Sequence, residues 1–242
     1  MGNPSLGQGT TADGINWVGY LTTEYNASVV MNYNLAAYGA TVDDAVVDGK
    51  SKDLVYQVTS DFNDYYCLSL EPSREWRPDT TLFGIWIGIN DVLLSYMRDD
   101  PLEMISRILQ SYLAVLDHLH ECGARHFLLL NVPPTDRTPQ MRWFEYWQRE
   151  RHREVVVEFN RQLQAAVVGW RMTHRDSTMA LYDSWSLMTE ILDNPQIYGF
   201  EDGECMGQGC VWWDDLHPTS EFHRLLADDL ATYLSQSGTG FV

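Results

Sequence analysis

Near the end of the chain, Trp212-Trp213-Asp214-Asp215-Leu216-His217-Pro218-Thr219 sets an aspartate three positions ahead of a histidine. A histidine acting as general base needs one ring nitrogen free for a nucleophile's proton. The other must be held by a carboxylate that fixes the tautomer and stabilises the imidazolium. Asp214 and His217 can do this from a single turn. Asp214 can also be read as a helix cap, because residues 219 to 235 have helical periodicity and carboxylates are favoured at helix N-termini. Thr81 to Val92 is an apolar run that ends in glycine and then Asn90-Asp91. It reads as a buried strand delivering polar groups at its C-terminal end, where open α/β sheets bind ligands, and the Asn90 amide can donate to a developing oxyanion. Tyr33 to Thr41 places Gly39 among small residues, where a backbone N–H can approach a ligand closely. Taken alone, Asn90-Asp91 and Gly39 are equally ordinary turn residues.

Together the three segments resemble the GDSL or SGNH hydrolase superfamily, named for four blocks carrying Ser, Gly, Asn and His. Three of the four stand here in the expected order. The finer resemblance is to fungal secreted acetylesterases of the carbohydrate esterase 16 type, and it runs through Trp86 to Asp91, Leu130 to Pro139 and Trp212 to Thr219. By position, the resemblance makes Gly39 and Asn90 oxyanion-hole donors, His217 the base and Asp214 its partner. It implies a secreted serine esterase that removes small acyl groups, acetyl above all, from carbohydrates or small metabolites, without a metal or other cofactor. A monomer is expected.

The departure from the family lies in its first block. The Phe-Gly-Asp-Ser string that carries the nucleophile precedes, in the relatives, a segment like Gly2-Asn3-Pro4 and a helix like Asn16 to Leu21, both present here near Met1. The expectation is therefore an N-terminally truncated single domain over residues 1–242, with the first central strand of the sheet missing and the attacking serine outside the chain. Ser5 is the nearest substitute by position, but Pro4 and Gly7 flank it in loop-like sequence without a strand and helix to hold a strained elbow. No Gly-x-Ser-x-Gly string occurs in the sequence.

The elements that must position these residues follow from periodicity. Residues 100 to 121 carry Leu102, Ile105, Ile108, Leu109, Tyr112, Leu113, Leu116 and Leu119 on one face, punctuated by Pro101 and Gly123, which predicts a surface helix of an α/β layer. His126 to Val132 is a continuous apolar run stopped by Pro133-Pro134, as in a strand buried on both faces. Residues 142 to 171 show a helical stripe of Val155, Val156, Phe159, Leu163 and Val167; Thr178 to Tyr182 reads as a strand and Ser184 to Leu192 as a short helix. Strand and helix alternate, which predicts a flavodoxin-like three-layer α/β/α sandwich with a parallel sheet. The family resemblance implies the same. A sheet without its first strand would leave backbone groups unpaired, at about 1 to 3 kcal/mol for each one buried.

At 242 residues and 45% hydrophobic content, the chain is long enough for one substantial core. Its formal net charge of −18 disfavours nucleic acid and anionic membrane as partners. No run reaches the roughly twenty apolar residues of a membrane span, and no leader pattern opens the chain, so localisation reads as secreted by resemblance or cytoplasmic as written. Cys205 and Cys210 bracket a short glycine-containing loop and are either a small disulfide or two unrelated thiols; Cys67 and Cys122 fall in or beside predicted helices. The alternative function is a non-catalytic relative that binds a glycan or acylated ligand, with Trp143, Phe144, Tyr146, Trp147, Trp212 and Trp213 as stacking faces. A metal site of Asp214, His217, His223 and Asp91 is a third and weaker reading, because its spacing is loose and His223 fits the last helix.

Overall fold

Alternating strands and helices need a sheet whose two faces are covered, and this governs the larger of the two compact units into which the chain divides. The computed structural model describes residues 5–49, 51–67 and 76–236. One unit comprises Leu35–Val132 and Glu150–Tyr182; the other comprises Met1–Asn34, Pro133–Arg149 and Asp183–Val242.

The sheet unit holds strands β1 (Leu82–Trp86), β2 (His126–Leu130) and β3 (Thr178–Tyr182), all parallel and paired in the order β1-β2-β3. Leu82 lies opposite His126 and Trp86 opposite Leu130; in turn His126 lies opposite Thr178 and Leu130 opposite Tyr182. Sequence reading anticipates neighbours separated by a gap; among the described residues these three strands pair without interruption, with β1 outermost. Phe127, Leu128, Leu129 and Leu130 are all buried, as a strand covered on both faces requires.

The crossover from β1 to β2 contains α4 (Ile89–Ser95) and α5 (Pro101–Glu121), and that from β2 to β3 contains most of α6 (Tyr146–Thr173). Asp100 caps α5 by accepting from the Glu103 N–H at 3.0 Å, Pro101 opens its first turn, and Gly123, at φ +106°, follows its end. Its buried face carries Ile105, Ile108, Leu109, Tyr112, Val115, Leu116 and Leu119; Leu102, expected on that face, is exposed in the first turn. On α6, Val155, Val156, Phe159, Leu163 and Val167 form the expected apolar stripe, and Trp170 closes edge-on against Phe127 of β2 at 5.3 Å.

Ahead of β1, the short α2 (Leu54–Tyr56), a π-helical turn (Gln57–Phe62) and α3 (Asn63–Tyr66) follow one another without a break. Phe62 packs edge-on against Phe83 of β1 at 5.6 Å, and Trp76 against the same ring at 5.2 Å. A disulfide joins Cys67 to Cys122 across 55 positions, linking the end of α3 to the end of α5.

In the other unit, α1 (Trp17–Thr23) packs on α8 (Ser220–Gln236). Ser220 joins them through Tyr20 Oη at 2.9 Å and the Ile15 carbonyl at 2.7 Å. The unit also contains α7 (Ser184–Asp193) and 3₁₀ turns at Thr135–Arg137, Pro139–Trp143 and Pro195–Tyr198. Among the described residues, no helix is long and apolar enough to cross a membrane.

Two histidines are buried, one in each unit: His152 of α6, stacked on Tyr96 at 4.7 Å, and His223 of α8. Burial lowers each to about 4. In the unfolded chain they protonate near about 6.5, so the unfolded state binds more protons through the interval down to 4. The stability they contribute is present above that interval and is lost as pH falls through it. Urea unfolding of His223→Gln, compared with the parent at pH 7 and pH 4.5, is expected to show an acid loss smaller by on the order of 2 kcal/mol. Equal acid losses would refute the assignment.

Candidate active site

A carboxylate two or three residues ahead of a backbone N–H can close a turn on itself, and Asp214 does so. Its Oδ1 accepts from the N–H of Leu216 at 2.8 Å and of His217 at 2.7 Å. The same carboxylate receives His217 Nδ1, at 2.8 Å to Oδ2 and 3.0 Å to Oδ1. The expected contact is therefore present, and one group both shapes the turn and holds the ring. With Nδ1–H donated to the carboxylate, the basic lone pair of a neutral imidazole lies on Nε2, as general-base chemistry requires. Partial burial works against the Asp214 charge, but the His217 and Leu216 N–H groups and the imidazole outweigh it and hold the carboxyl below its ordinary range.

Asp214 is not the cap of α8. Thr219 is, accepting from the Phe222 N–H at 3.4 Å while donating to the Cys210 carbonyl at 2.9 Å. The turn is fastened on both sides. Trp213 N–H donates to the His217 carbonyl at 2.7 Å, Thr219 N–H to Val211 O at 2.9 Å, and Gln140 N–H to Asp215 O at 2.8 Å. Cys205 and Cys210 form a disulfide, and Trp212, buried to 1%, donates from its indole to Gly203 O at 3.1 Å. Trp212 is therefore a core residue of this loop, which removes it from the set of stacking faces. Trp143, Phe144, Tyr146, Trp147 and Trp213 are exposed.

In the sheet unit, β1 ends at Trp86 and the chain turns at Gly88 into α4. Gly88 has φ +108°, and a Cβ there would lie 2.7 Å from the Phe159 ring and 2.9 Å from Val132 Cγ2, so the turn admits only glycine. The first turn of α4 presents Asn90 and Asp91. Asn90 Nδ2 donates one N–H to the Ala40 carbonyl at 2.9 Å, and both Asp91 oxygens accept from the Val42 N–H, at 3.0 and 3.2 Å. Gly39 stands in the adjoining turn at φ +73°. Within this unit, Asn90 is thus tied to the loop that carries Gly39. Asp91 is fully buried; desolvation raises its carboxyl to about 7 against the Val42 hydrogen bond, and Asp44 and Asp43 add to the rise.

The residues of the third reading are engaged elsewhere: Asp91 on Val42 N–H, Asp214 and His217 with each other, and His223 inside α8. Among the described residues, Glu201 comes close to Cys205 and Cys210, but the disulfide leaves no thiolate for a metal. Ser5 is exposed at a turn. Sequence reading missed the bond of Asp91 to the Val42 N–H, across 49 positions, and the Cys67–Cys122 bond.

A parallel sheet with helical crossovers places the chain in the α/β class. Residues 2–230 match the family described as GDSL-like Lipase/Acylhydrolase, and the chain belongs to it. It is 32% identical to an acetylesterase of Thermothelomyces thermophilus over 96% of this chain and 78% of that protein. A thermolabile hemolysin of Vibrio parahaemolyticus is 24% identical over 88% of this chain, which spans 54% of the hemolysin. A phosphatidylcholine-sterol acyltransferase of Aeromonas hydrophila is 25% identical over 87% of this chain and 59% of its own length.

Thr219→Val keeps the shape of the side chain but removes the cap of α8 and the bond to Cys210 O. Urea unfolding is expected to show a loss of about 1 to 2 kcal/mol. An unchanged midpoint would show that the hydroxyl carries none of the load at this turn.

Proposed function

We propose that this chain serves the hydrolysis of small acyl esters, acetyl esters first, by serine chemistry. A serine hydroxyl attacks the ester carbonyl, and His217 takes its proton and returns it to the leaving alcohol. Asp214 holds the imidazolium, while the Gly39 N–H and the Asn90 amide receive the charge on oxygen. The observation that carries this reading is the 2.8 Å contact of His217 Nδ1 with a carboxylate that also builds the turn. Likeness to an acetylesterase supports the acetyl group. Two disulfides support secretion into an oxidising compartment.

A fluorophosphonate probe, with mass mapping of the labelled residue, tests the reading on the chain preceded by the family's Phe-Gly-Asp-Ser block, which supplies the attacking serine. Labelling of a serine that is lost in His217→Ala is the expected result. In turnover of a small acetyl ester, His217→Ala is expected to cost about three to five orders of magnitude and Asn90→Ala about 100- to 1000-fold, each with the fold retained by circular dichroism. Full activity in either variant would refute its role. A folded chain that takes no label but binds ligand would favour the second reading, a non-catalytic binder of a glycan or acylated ligand.

Exposed aromatic rings favour a sugar as the alcohol or ligand. Trp143 is 88% exposed, with Tyr146 and Trp147 also in the open, and the 3₁₀ turn that ends at Trp143 is joined to Asp215, next to Asp214, through Gln140. Flat aromatic faces suit the apolar face of a pyranose, at about 1 kcal/mol per ring. Trp143→Ala is expected to raise KM for an acetylated oligosaccharide by about fivefold while leaving KM for a small aryl acetate unchanged. An unchanged KM for the oligosaccharide, or the same rise for both substrates, would remove the platform.

A further inference from the structure

We propose that Asp91 is a positioning residue for the oxyanion donors: its buried carboxylate and the adjacent Asn90 amide grip the backbone on the two sides of Thr41 and so set where the Gly39 N–H stands. The inference rests on the functional reading above for the role of Gly39, but the grip itself does not.

Asn90 holds Ala40 by its carbonyl and Asp91 holds Val42 by its N–H, and both side chains leave the first turn of α4 in sequence. Two successive residues of one helix thus fix two points of one loop. Between these points Thr41 is fully buried, and its Oγ1 donates to Asp44 Oδ1 at 2.7 Å. Before them, the turn that carries Gly39 closes by the Ala40 N–H on Ala37 O at 3.4 Å. A shift of the Ala40–Val42 backbone therefore carries Gly39 with it.

Burying a carboxylate is expensive unless its bonds are worth the loss of water. Among the described residues no cationic side chain pairs with Asp91. The groups that face it are Asp43 and Asp44 from the loop and Tyr112 from α5, all acidic or neutral. An apolar residue would fill the site at less cost to folding, but it could not hold the Val42 N–H. Asp91 answers a need for backbone placement, and placement matters most where an N–H must meet a developing charge without reorganising.

The test uses the full chain labelled with ¹⁵N. Between pH 5 and 9 the Val42 and Gly39 amide signals are expected to move together as the Asp91 carboxyl ionises. In Asp91→Asn, which keeps one acceptor oxygen, the loop stays held and this movement disappears. In Asp91→Ala, hydrogen exchange at residues 39 to 42 speeds up by about tenfold or more while amides of β1, β2 and β3 keep their rates. Amides 39 to 42 that exchange unchanged in Asp91→Ala would overturn the grip, and amides that stay still through the titration would overturn only the ionisation of Asp91 in this range.

Catalytic relevance is read separately, from the fluorophosphonate labelling rate of the chain preceded by the Phe-Gly-Asp-Ser block. Asp91→Ala is expected to slow labelling about tenfold or more, with Asp91→Asn restoring part of it. Parent-like labelling with a loosened loop would overturn positioning alone. Labelling that survives His217→Ala, or a parent chain that takes no label, would instead bring down the catalytic reading and leave Asp91 a loop clamp without an oxyanion role.

Discussion

A carboxylate accepting a backbone N–H is the bond on which this protein's working loops depend. Asp214 closes the His217 turn in this way, Asp91 holds Val42, and Asp53 accepts from Asp44 N–H at 2.7 Å and from Tyr56 N–H at 2.6 Å. Asp44 in turn accepts from Thr41 Oγ1 and from the Gly49 N–H. Loops of this length have few apolar contacts to hold them, and a charge-assisted bond is roughly twice as strong as a neutral one. The acidity of the chain, with 34 Asp and Glu against 16 Lys and Arg, is thus more than a solubility device. Part of it is spent on backbone geometry.

Where periodicity and punctuation agree, the sequence is easy to read. Helix α5 runs from its Asp100 cap to the glycine after its end, β3 falls on Thr178–Tyr182, and α8 starts one residue beyond Thr219. Each of these is a local matter: a repeat of 3.6 or a continuous apolar run between breakers. The Asp214–His217 pair was legible for the same reason, since three positions span one turn. What was not legible depends on distance along the chain. Cys67 and Cys122 meet across 55 positions and Asp91 meets Val42 across 49, and neither spacing has a sequence signature. The π-helical turn at Gln57–Phe62 carries no apolar period of its own, and its last residue, Phe62, meets Phe83 edge-on. Aromatic residues defeat composition in another way: Trp212 and Trp213 are neighbours, yet one is core and the other is exposed.

Glycine marks the places where side chains had to yield to backbone. At Gly88 the strand must turn into α4 under the Phe159 ring, and any Cβ would collide with it. That turn brings Asn90 and Asp91 to the loop of Gly39, so a steric requirement at one residue decides the polar chemistry of the next three. The sheet contributes by making β1 rigid up to Trp86, whose indole donates to Asn131 O at 3.0 Å. A strand end anchored in this way lets a seven-residue helix present two polar side chains in a fixed order.

The buried groups pull the protein in opposite directions with pH. His152 and His223, lowered to about 4, add stability that is present above their ordinary range near about 6.5 and is lost as acid reaches them. Asp91, raised to about 7, adds stability that is present in acid and is lost as pH rises through that value. Yet the ionised form of Asp91 makes the stronger bond to Val42 N–H, so the conditions that tighten the Gly39 loop are those in which burying this carboxylate costs most. A residue chosen for stability alone would not be placed in that conflict. A residue that must hold a backbone donor in place is, and the fold meets the cost with the apolar faces of α5 and α6 and with a disulfide at the foot of α5.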